Sequence, residues 1–468
     1  MPGLRYVNVI PKIGGMPLGA WEATSCLPLA NISYTEFRPN DGQLARYWPT
    51  VPTIYLPSPS SPLSPAQLQG LQHLDFVTAV CPCSGLSMNN TATSGEAARG
   101  TEAAKNQWML LTTGLVLGQL RPRVLLGENA KELFTASGSG VLERLAAIGE
   151  QHGYSLSVIK TCTSLHGLPQ RRERSLYVFW RTARPPVLPW LRVERPGLAL
   201  HLSAIPASAP QQDVFLYTGK ASERYRPYQY LLQRANLSHS QFYRKMAAEF
   251  PGSNMTVVKY LEREGLLEDC ISWLERNHSL ERFGPNTQTH VQSLKYKLKK
   301  LSMKNPKTGK PLGYWDDSVK FMGDCFSAVI KKNLFSVHPT EDRFLSIREL
   351  LHLMGLPHDF LLDDVKNFNH ICQTVPVHTA RAWVEQVAAF CRDPQALDRA
   401  SSALLLQNNV TRKMEEKGAK MKEEERGGKR KKEMKIEAIE DGEEDGRKEE
   451  REETWEEGRE GGKRRLVG

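Results

Sequence analysis

The chain has 468 residues, 40% of them apolar, which is enough for two or three domains with substantial cores. No apolar run approaches the roughly 20 residues that a membrane helix needs, and the N-terminal MPGLRYVNVIPK lacks the apolar block of a secretory signal, so an intracellular protein is expected. Of the net charge of +10, residues 411–468 hold 18 basic and 19 acidic groups, so the excess belongs to the first 410 residues, with 44 and 33, and such a basic body suggests an anionic partner, commonly nucleic acid.

In chain order, residues 5–10, 74–80, 123–127, 155–161 and 175–180 read as short apolar strands, and residues 18–26, 98–120 and 140–152 as helices. Strand–helix alternation predicts an α/β class with a mostly parallel sheet and helices on both faces. The Pro/Ser-rich stretch 56–65 reads as a loop and the Pro-rich stretch 185–196 as a connector. Helical patterns follow at 255–264 and 266–276, with Gly265 a possible break, and residues 341–395 return to helix and apolar strand patterns. From about 411 the chain is Lys/Glu/Gly-rich. It cannot bury enough apolar surface to offset chain entropy, so a disordered tail is expected. Eight cysteines, mostly single and without paired C-x-x-C motifs, argue for reduced thiols and no metal site.

Two polar stretches follow apolar strands, those at 74–80 and 123–127, and a third precedes the strand at 175–180. The first strand runs straight into Cys81-Pro82-Cys83. In an open α/β sheet the carboxyl end of a strand faces the ligand crevice, so a thiol there can be exposed yet rigidly aimed. Most cysteines, equally, are small buried hydrophobes. The second strand ends in Glu128-Asn129, a carboxyl that could protonate or grip a substrate, or merely cap a helix. The third stretch, Gln170-Arg171-Arg172-Glu173-Arg174, places Arg172 and Arg174 on one face of an extended segment. They could hold a phosphate or a base edge and lower a nearby thiol's pKa, or form a basic surface loop.

Taken in this order, Pro-Cys, Glu-Asn and Gln-x-Arg-x-Arg resemble the DNA cytosine-5 methyltransferase family. Ile13-Gly14-Gly15 sits where the family's cofactor glycine loop sits, and Glu36 resembles its acidic ribose-binding residue. Arg343 to Glu349, with Met354 to Pro357, resembles the late helix motif, and Val375-Pro376 the last motif. Ile10 and Lys12 stand where the family usually has an aromatic residue and a further glycine, and Cys372-Gln373 replaces Gly-Asn.

The resemblance implies a Rossmann-like S-adenosylmethionine-dependent sheet with an inserted smaller target recognition domain. Residues 1–190 and 341–395 would form the catalytic domain, 191–340 the recognition domain and 396–468 the tail. It implies a monomeric enzyme acting on double-stranded DNA, nuclear if the host is eukaryotic. Cys83 would attack carbon 6 of a flipped cytosine, Glu128 would stabilise the ring, Asn129 would brace its loop, and Arg172 and Arg174 would hold the base and keep Cys83 ionised. Ile13, Gly14, Gly15 and Glu36 would bind S-adenosylmethionine. Gln170 and the lysine cluster at 290–310, including Lys295, Lys297, Lys299 and Lys300, would contact nucleic acid. A transfer-RNA methyltransferase on the same fold and a catalytically weakened DNA-binding homologue are the alternatives.

Overall fold

The computed structural model describes residues 3–86, 101–189, 191–210, 220–250, 255–278, 291–292, 295–296, 323–329, 336–362, 370–397 and 399. The chain divides into a compact unit, Met1–Leu397, and a second unit, Asp398–Gly468, nearly all of which lies outside the described residues. The expected tail falls there.

Seven strands form one sheet: β1 Tyr6–Val9, β2 Ala30–Tyr34, β3 Thr53–Leu56, β4 Phe76–Val80, β5 Val124–Ala130, β6 Ser155–Cys162 and β7 Glu173–Trp180. Their order is β3-β2-β1-β4-β5-β7-β6. All neighbours from β3 to β5 are parallel, and β7 runs antiparallel to both β5 and β6. The α/β class and the mostly parallel sheet match the sequence expectation, as do five of the seven strands. The order reverses between β1 and β4, and in such sheets that switch point opens a crevice at the strands' carboxyl ends.

The helices are α1 Gly15–Thr24, α2 Arg38–Tyr47, α3 Pro65–Gly70, α4 Ala104–Leu115, α5 Ala136–Gln151, α6 Leu198–Ser203, α7 Lys220–Ala235, α8 His239–Glu249, α9 Val257–Arg263, α10 Leu267–His278, α11 Ile347–Leu353 and α12 Val377–Arg392. Alternation along the strands divides the sheet between two cores. Val7, Val9, Val77, Ala79, Leu125 and Phe179 face α4 and α5, packing with Met109, Leu110, Val141 and Leu145. Tyr6, Phe76, Val124, Leu126, Val178 and Trp180 face the opposite way, against Met16 and Ala20 of α1 and Trp383, Val384 and Val387 of α12. Gly19 lets α1 and α12 touch, because a Cβ there would stand 2.4 Å from that of Ala380.

The expected helix at 98–120 begins at Ala104 and ends in a single π turn, Val116–Leu120, closed by Arg121 with φ of +46°. Strands β2 and β3 were not legible. β2 carries Asn31 and Ser33 in its interior, both fully or nearly fully buried. A ladder across three strands satisfies the Asn31 oxygen, while its Nδ2 is buried without a partner: Thr78 Oγ1 donates to Asn8 Oδ1 at 2.7 Å, and Asn8 Nδ2 to Asn31 Oδ1 at 3.0 Å. This ladder matches the register, in which Asn8 pairs with both Asn31 and Thr78. β3 has four residues, three of them only half-buried, so its periodicity is weak.

Helices α7 to α10 have a core of their own, centred on Tyr228, Phe242, Leu261 and Ile271 and joined by Val337 and Phe344. α11 starts with a capping box between Ser346 and Glu349. Arg343 forks onto the same carboxylate at 2.9 and 2.7 Å. Burial works against that charge, but Arg343 and His338 outweigh it and hold Glu349 down at about 2. The 343–349 motif is therefore a helix start. Among the described residues, no helix is long and apolar enough to cross a membrane.

Candidate active site

The crevice at the switch point gathers side chains from the tips of β1, β4, β5 and β7. β4 ends at Val80, and the turn behind it carries Cys81 and Cys83. The two thiols differ. Cys81 is 2% exposed, accepts a hydrogen bond from the Tyr177 hydroxyl at 3.6 Å, and burial pushes it up to about 11. Cys83 stays partly accessible.

Tyr177 reaches Cys81 over Gly127 of β5, where an added Cβ would fall 2.0 Å from the Tyr177 ring. One residue further on, Glu128 turns its carboxylate into the crevice, and Arg174 Nε donates to its Oε1 at 2.8 Å. Glu128 and Arg174 are brought within reach by the β5–β7 pairing, which sets Glu128 opposite Leu176 and Ala130 opposite Arg174. Burial raises the pKa of Glu128, against the pull of Arg174, Arg172 and Lys12. The carboxyl therefore holds a proton more readily than an exposed one.

The same charges act on Cys83. Burial raises its thiol; Arg174 pulls it down, Glu128 raises it, and Arg172 and Lys12 pull it down, leaving a net rise. Both arginines thus favour the thiolate, as their type suggests, and desolvation of the thiolate outweighs them. A consequence can be measured. Iodoacetamide should modify Cys83 slowly at neutral pH, with a rate that climbs into the alkaline range instead of levelling off below that of an ordinary thiol, while Cys81 stays protected in the folded protein. Mass spectrometry of peptides alkylated across a pH series reads both, and a Cys83 plateau at neutral pH would contradict this electrostatic account.

Arg172 and Arg174 diverge. Arg172 is 2% exposed and bonds inward: Nη1 donates to the carbonyl of Val329 at 2.5 Å, and Nη2 to those of Cys372 and Thr374 at 2.7 and 3.0 Å. Its Nε is buried without a hydrogen-bond partner. Arg172 thus ties the start of β7 to the segments at 329 and 372–374, and only Arg174 reaches the Glu128 carboxylate. Gln170 is fully buried; its Nε2 donates to the Leu353 carbonyl at 2.7 Å and its Oε1 accepts from Val329 N at 2.8 Å. Its amide is committed to the interior, not to a nucleic-acid contact. Asn129 is likewise buried, accepting from Ala130 N at 2.8 Å.

At the other side of the switch point, the β1–α1 loop carries Ile10 and Lys12 with φ of +54° and +57°, then Gly14 with φ of +111°. Lys12 is buried, its ammonium 4.1 Å from the centre of the Phe37 ring. Ile13 packs inward with Leu18 and Leu44. Gly15 serves packing: its N–H donates to Thr374 Oγ1 at 2.9 Å, and a Cβ would meet the Val375 carbonyl oxygen at 1.9 Å. Glu36 is half-exposed after β2 and pairs with Lys105 at 2.8 Å. Sequence reasoning noted Lys12 only as a departure; its buried position on Phe37 depends on the path of the loop. Of the lysine cluster, Lys295 pairs with Glu275 at 2.7 Å, and Lys297, Lys299 and Lys300 lie outside the described residues.

The model of the family described as C-5 cytosine-specific DNA methylase matches residues 62–389, more than half of the chain. The chain belongs to this family. The match takes in Cys83, Glu128, Asn129, Arg172 and Arg174, and it begins after the loop that carries Lys12 and Gly14. Among solved structures, the chain is similar to a prophage-encoded E. coli protein named as a DNA modification methyltransferase, with 15% identity, 83% of this chain and 100% of that one covered, and a TM-score of 0.49. It is also similar to the Entamoeba histolytica methyltransferase EhMeth, with 10% identity, 83% and 98% covered, TM-score 0.46. A third is a triple mutant of Spodoptera frugiperda DNMT2, with 13% identity, 82% and 99% covered, TM-score 0.45. At these scores no residue role passes from them to this cytosine methylase family member. No match is found among curated protein sequences.

Proposed function

We propose that the chain transfers a methyl group from S-adenosylmethionine to carbon 5 of cytosine in double-stranded DNA, on a base flipped out of the helix, through a covalent adduct with Cys83. The observation that carries this reading is a partly accessible thiol at the end of β4 that feels the charges of Arg174 and of Glu128, a buried carboxyl at the end of β5 with a raised pKa and bonded to Arg174 at 2.8 Å.

Each group has a role that its surroundings support. Cys83, once deprotonated, adds through sulfur to carbon 6 of the ring, and electron density moves toward nitrogen 3. Glu128 gives its proton, or a hydrogen bond, to nitrogen 3, and Arg174 holds the carboxylate that results. Carbon 5 is then nucleophilic. It would take the methyl that a bound S-adenosylmethionine supplies, leaving S-adenosylhomocysteine, after which loss of the carbon 5 proton to a base or to water returns electrons to the ring, breaks the carbon–sulfur bond and releases the thiolate of Cys83 with 5-methylcytosine. Arg172 keeps the pocket's far wall in place instead of touching the base.

The residues of the β1–α1 loop fit a nucleoside cofactor. Gly14 adopts a backbone conformation closed to most side chains, with Leu44 where its Cβ would stand, and Glu36, half-exposed and paired with Lys105 at 2.8 Å, is the carboxylate that would meet ribose hydroxyls. S-adenosylmethionine bound there supplies the electrophilic methyl. Residues 191–340 are assigned to target recognition and residues 1–190 and 341–395 to catalysis; helices α7 to α10 have a core of their own, while Leu198, Leu202, Phe326 and Val329 pack with Leu44 and Ile347 of the catalytic part.

Incubation with radiolabelled S-adenosylmethionine and cytosine-containing duplex DNA tests the reading. Label should appear in DNA as 5-methylcytosine. Label confined to a transfer-RNA substrate would move the activity to RNA, and none in either would remove the enzymatic reading.

A further inference from the structure

Lys12 is a buried cation in the β1–α1 loop whose charge is felt by Cys83 and Glu128. Its backbone lies in the left-handed region, φ +57°, which glycine adopts freely and a residue with a Cβ adopts at a cost. Its side chain is 6% exposed and sets its ammonium on the face of Phe37, 4.1 Å from the ring centre. Phe37 in turn is wedged among aromatic neighbours, with Trp108 at 5.2 Å and Tyr34 at 6.4 Å. Glu36, the proposed ribose acceptor, is the residue immediately before Phe37. A purine whose ribose reached Glu36 would find in Phe37 the adjacent aromatic surface, and the Lys12 ammonium already covers a face of it.

We propose that Lys12 is a resident occupant of the Phe37 face that a nucleoside cofactor must displace, so that this one side chain sets the affinity for S-adenosylmethionine. The inference rests on the cofactor reading given above. Two physical terms act in the same direction. The ammonium must leave an aromatic face on which it is desolvated. Once displaced it remains a cation near the Arg174–Glu128 pair, whose charges offset each other, so its own charge disfavours a ligand carrying a positive sulfonium. S-adenosylhomocysteine has the same nucleoside without that charge, so it should bind the natural protein better than S-adenosylmethionine does.

The test is calorimetric titration of the full chain, Lys12→Gly, Lys12→Asn and Lys12→Arg with both nucleosides, in the absence of nucleic acid. Glycine and asparagine tolerate left-handed backbone, so both variants should fold with melting temperatures at or above that of the natural chain. They should bind S-adenosylmethionine roughly tenfold more tightly, a gain of about 1.4 kcal/mol, and more of that gain should appear for the sulfonium than for S-adenosylhomocysteine. Lys12→Arg should stay at the natural affinity. Unchanged or weaker binding by folded Lys12→Gly and Lys12→Asn overturns the inference while leaving the cofactor reading intact, since the natural chain binds in that outcome. No saturable heat from any variant with either nucleoside overturns both.

Discussion

Cys83→Ala should reduce methyl transfer to DNA by at least about 10⁴-fold, the scale on which removal of an attacking nucleophile is felt. The substitution takes away the atom that makes carbon 5 reactive, and the neighbouring thiol on the same turn cannot replace it. Cys81, two residues away, is sealed under the Tyr177 hydroxyl. Because the Cys83 side chain is partly accessible, its loss opens little internal space, and the melting temperature should stay within about 2 °C of the natural value. Cys81→Ala is the matching control. It should lower stability by about 1–2 kcal/mol through the lost packing and the orphaned tyrosine hydroxyl, and retain the covalent chemistry. Parallel assays of label incorporation and thermal unfolding separate the two. Substantial turnover by Cys83→Ala would end the adduct mechanism.

Arg172→Ala should produce the largest loss of stability of any single change at the site, about 3–5 kcal/mol, because a buried, multiply bonded cation is removed and its partners remain. The carbonyls of Val329, Cys372 and Thr374 would lose donors held at 2.5 to 3.0 Å, and each unsatisfied carbonyl costs on the order of 1 kcal/mol or more. The planar fork that spans three carbonyls cannot be copied by a single ammonium, so Arg172→Lys should recover less than half of the loss. Denaturant unfolding of both variants gives the numbers. If Arg172→Ala melts like the natural chain but binds DNA poorly, the residue contacts substrate after all. Arg174→Ala should behave in the opposite way, costing activity far more than stability, since Arg174 bonds the Glu128 carboxylate at the crevice.

The two arginines show what a pattern of residues can and cannot convey. Their spacing puts them on the same side of an extended segment, and both do lie near Cys83. Which one lines the pocket and which one staples the fold depends on residues 150 to 200 positions away in the chain, at Val329, Cys372 and Thr374. Gln170 is similar: a polar residue beside arginines reads as a surface contact until the segments at 329 and 353 fold over it. Gly15 reads as a cofactor glycine, yet the Val375 carbonyl occupies the space where its Cβ would be. In each case the deciding neighbour is remote in sequence.

By itself the sequence determined the α/β class, four strands at apolar runs buried on both faces together with the half-buried edge strand β6, and the chain order of the thiol, carboxyl and guanidinium stretches around those strands. These are local properties, carried by periodicity and by the residue at a strand's end. The tertiary structure decided the strand order, the buried polar ladder that admits β2, and which side of each polar residue meets protein and which meets the crevice. It also decided the electrostatics at Cys83: Arg174, Arg172 and Lys12 favour the thiolate, burial and Glu128 oppose it, and the pKa is raised above the ordinary thiol value. That balance depends on distance and enclosure in three dimensions, which no run of adjacent residues encodes.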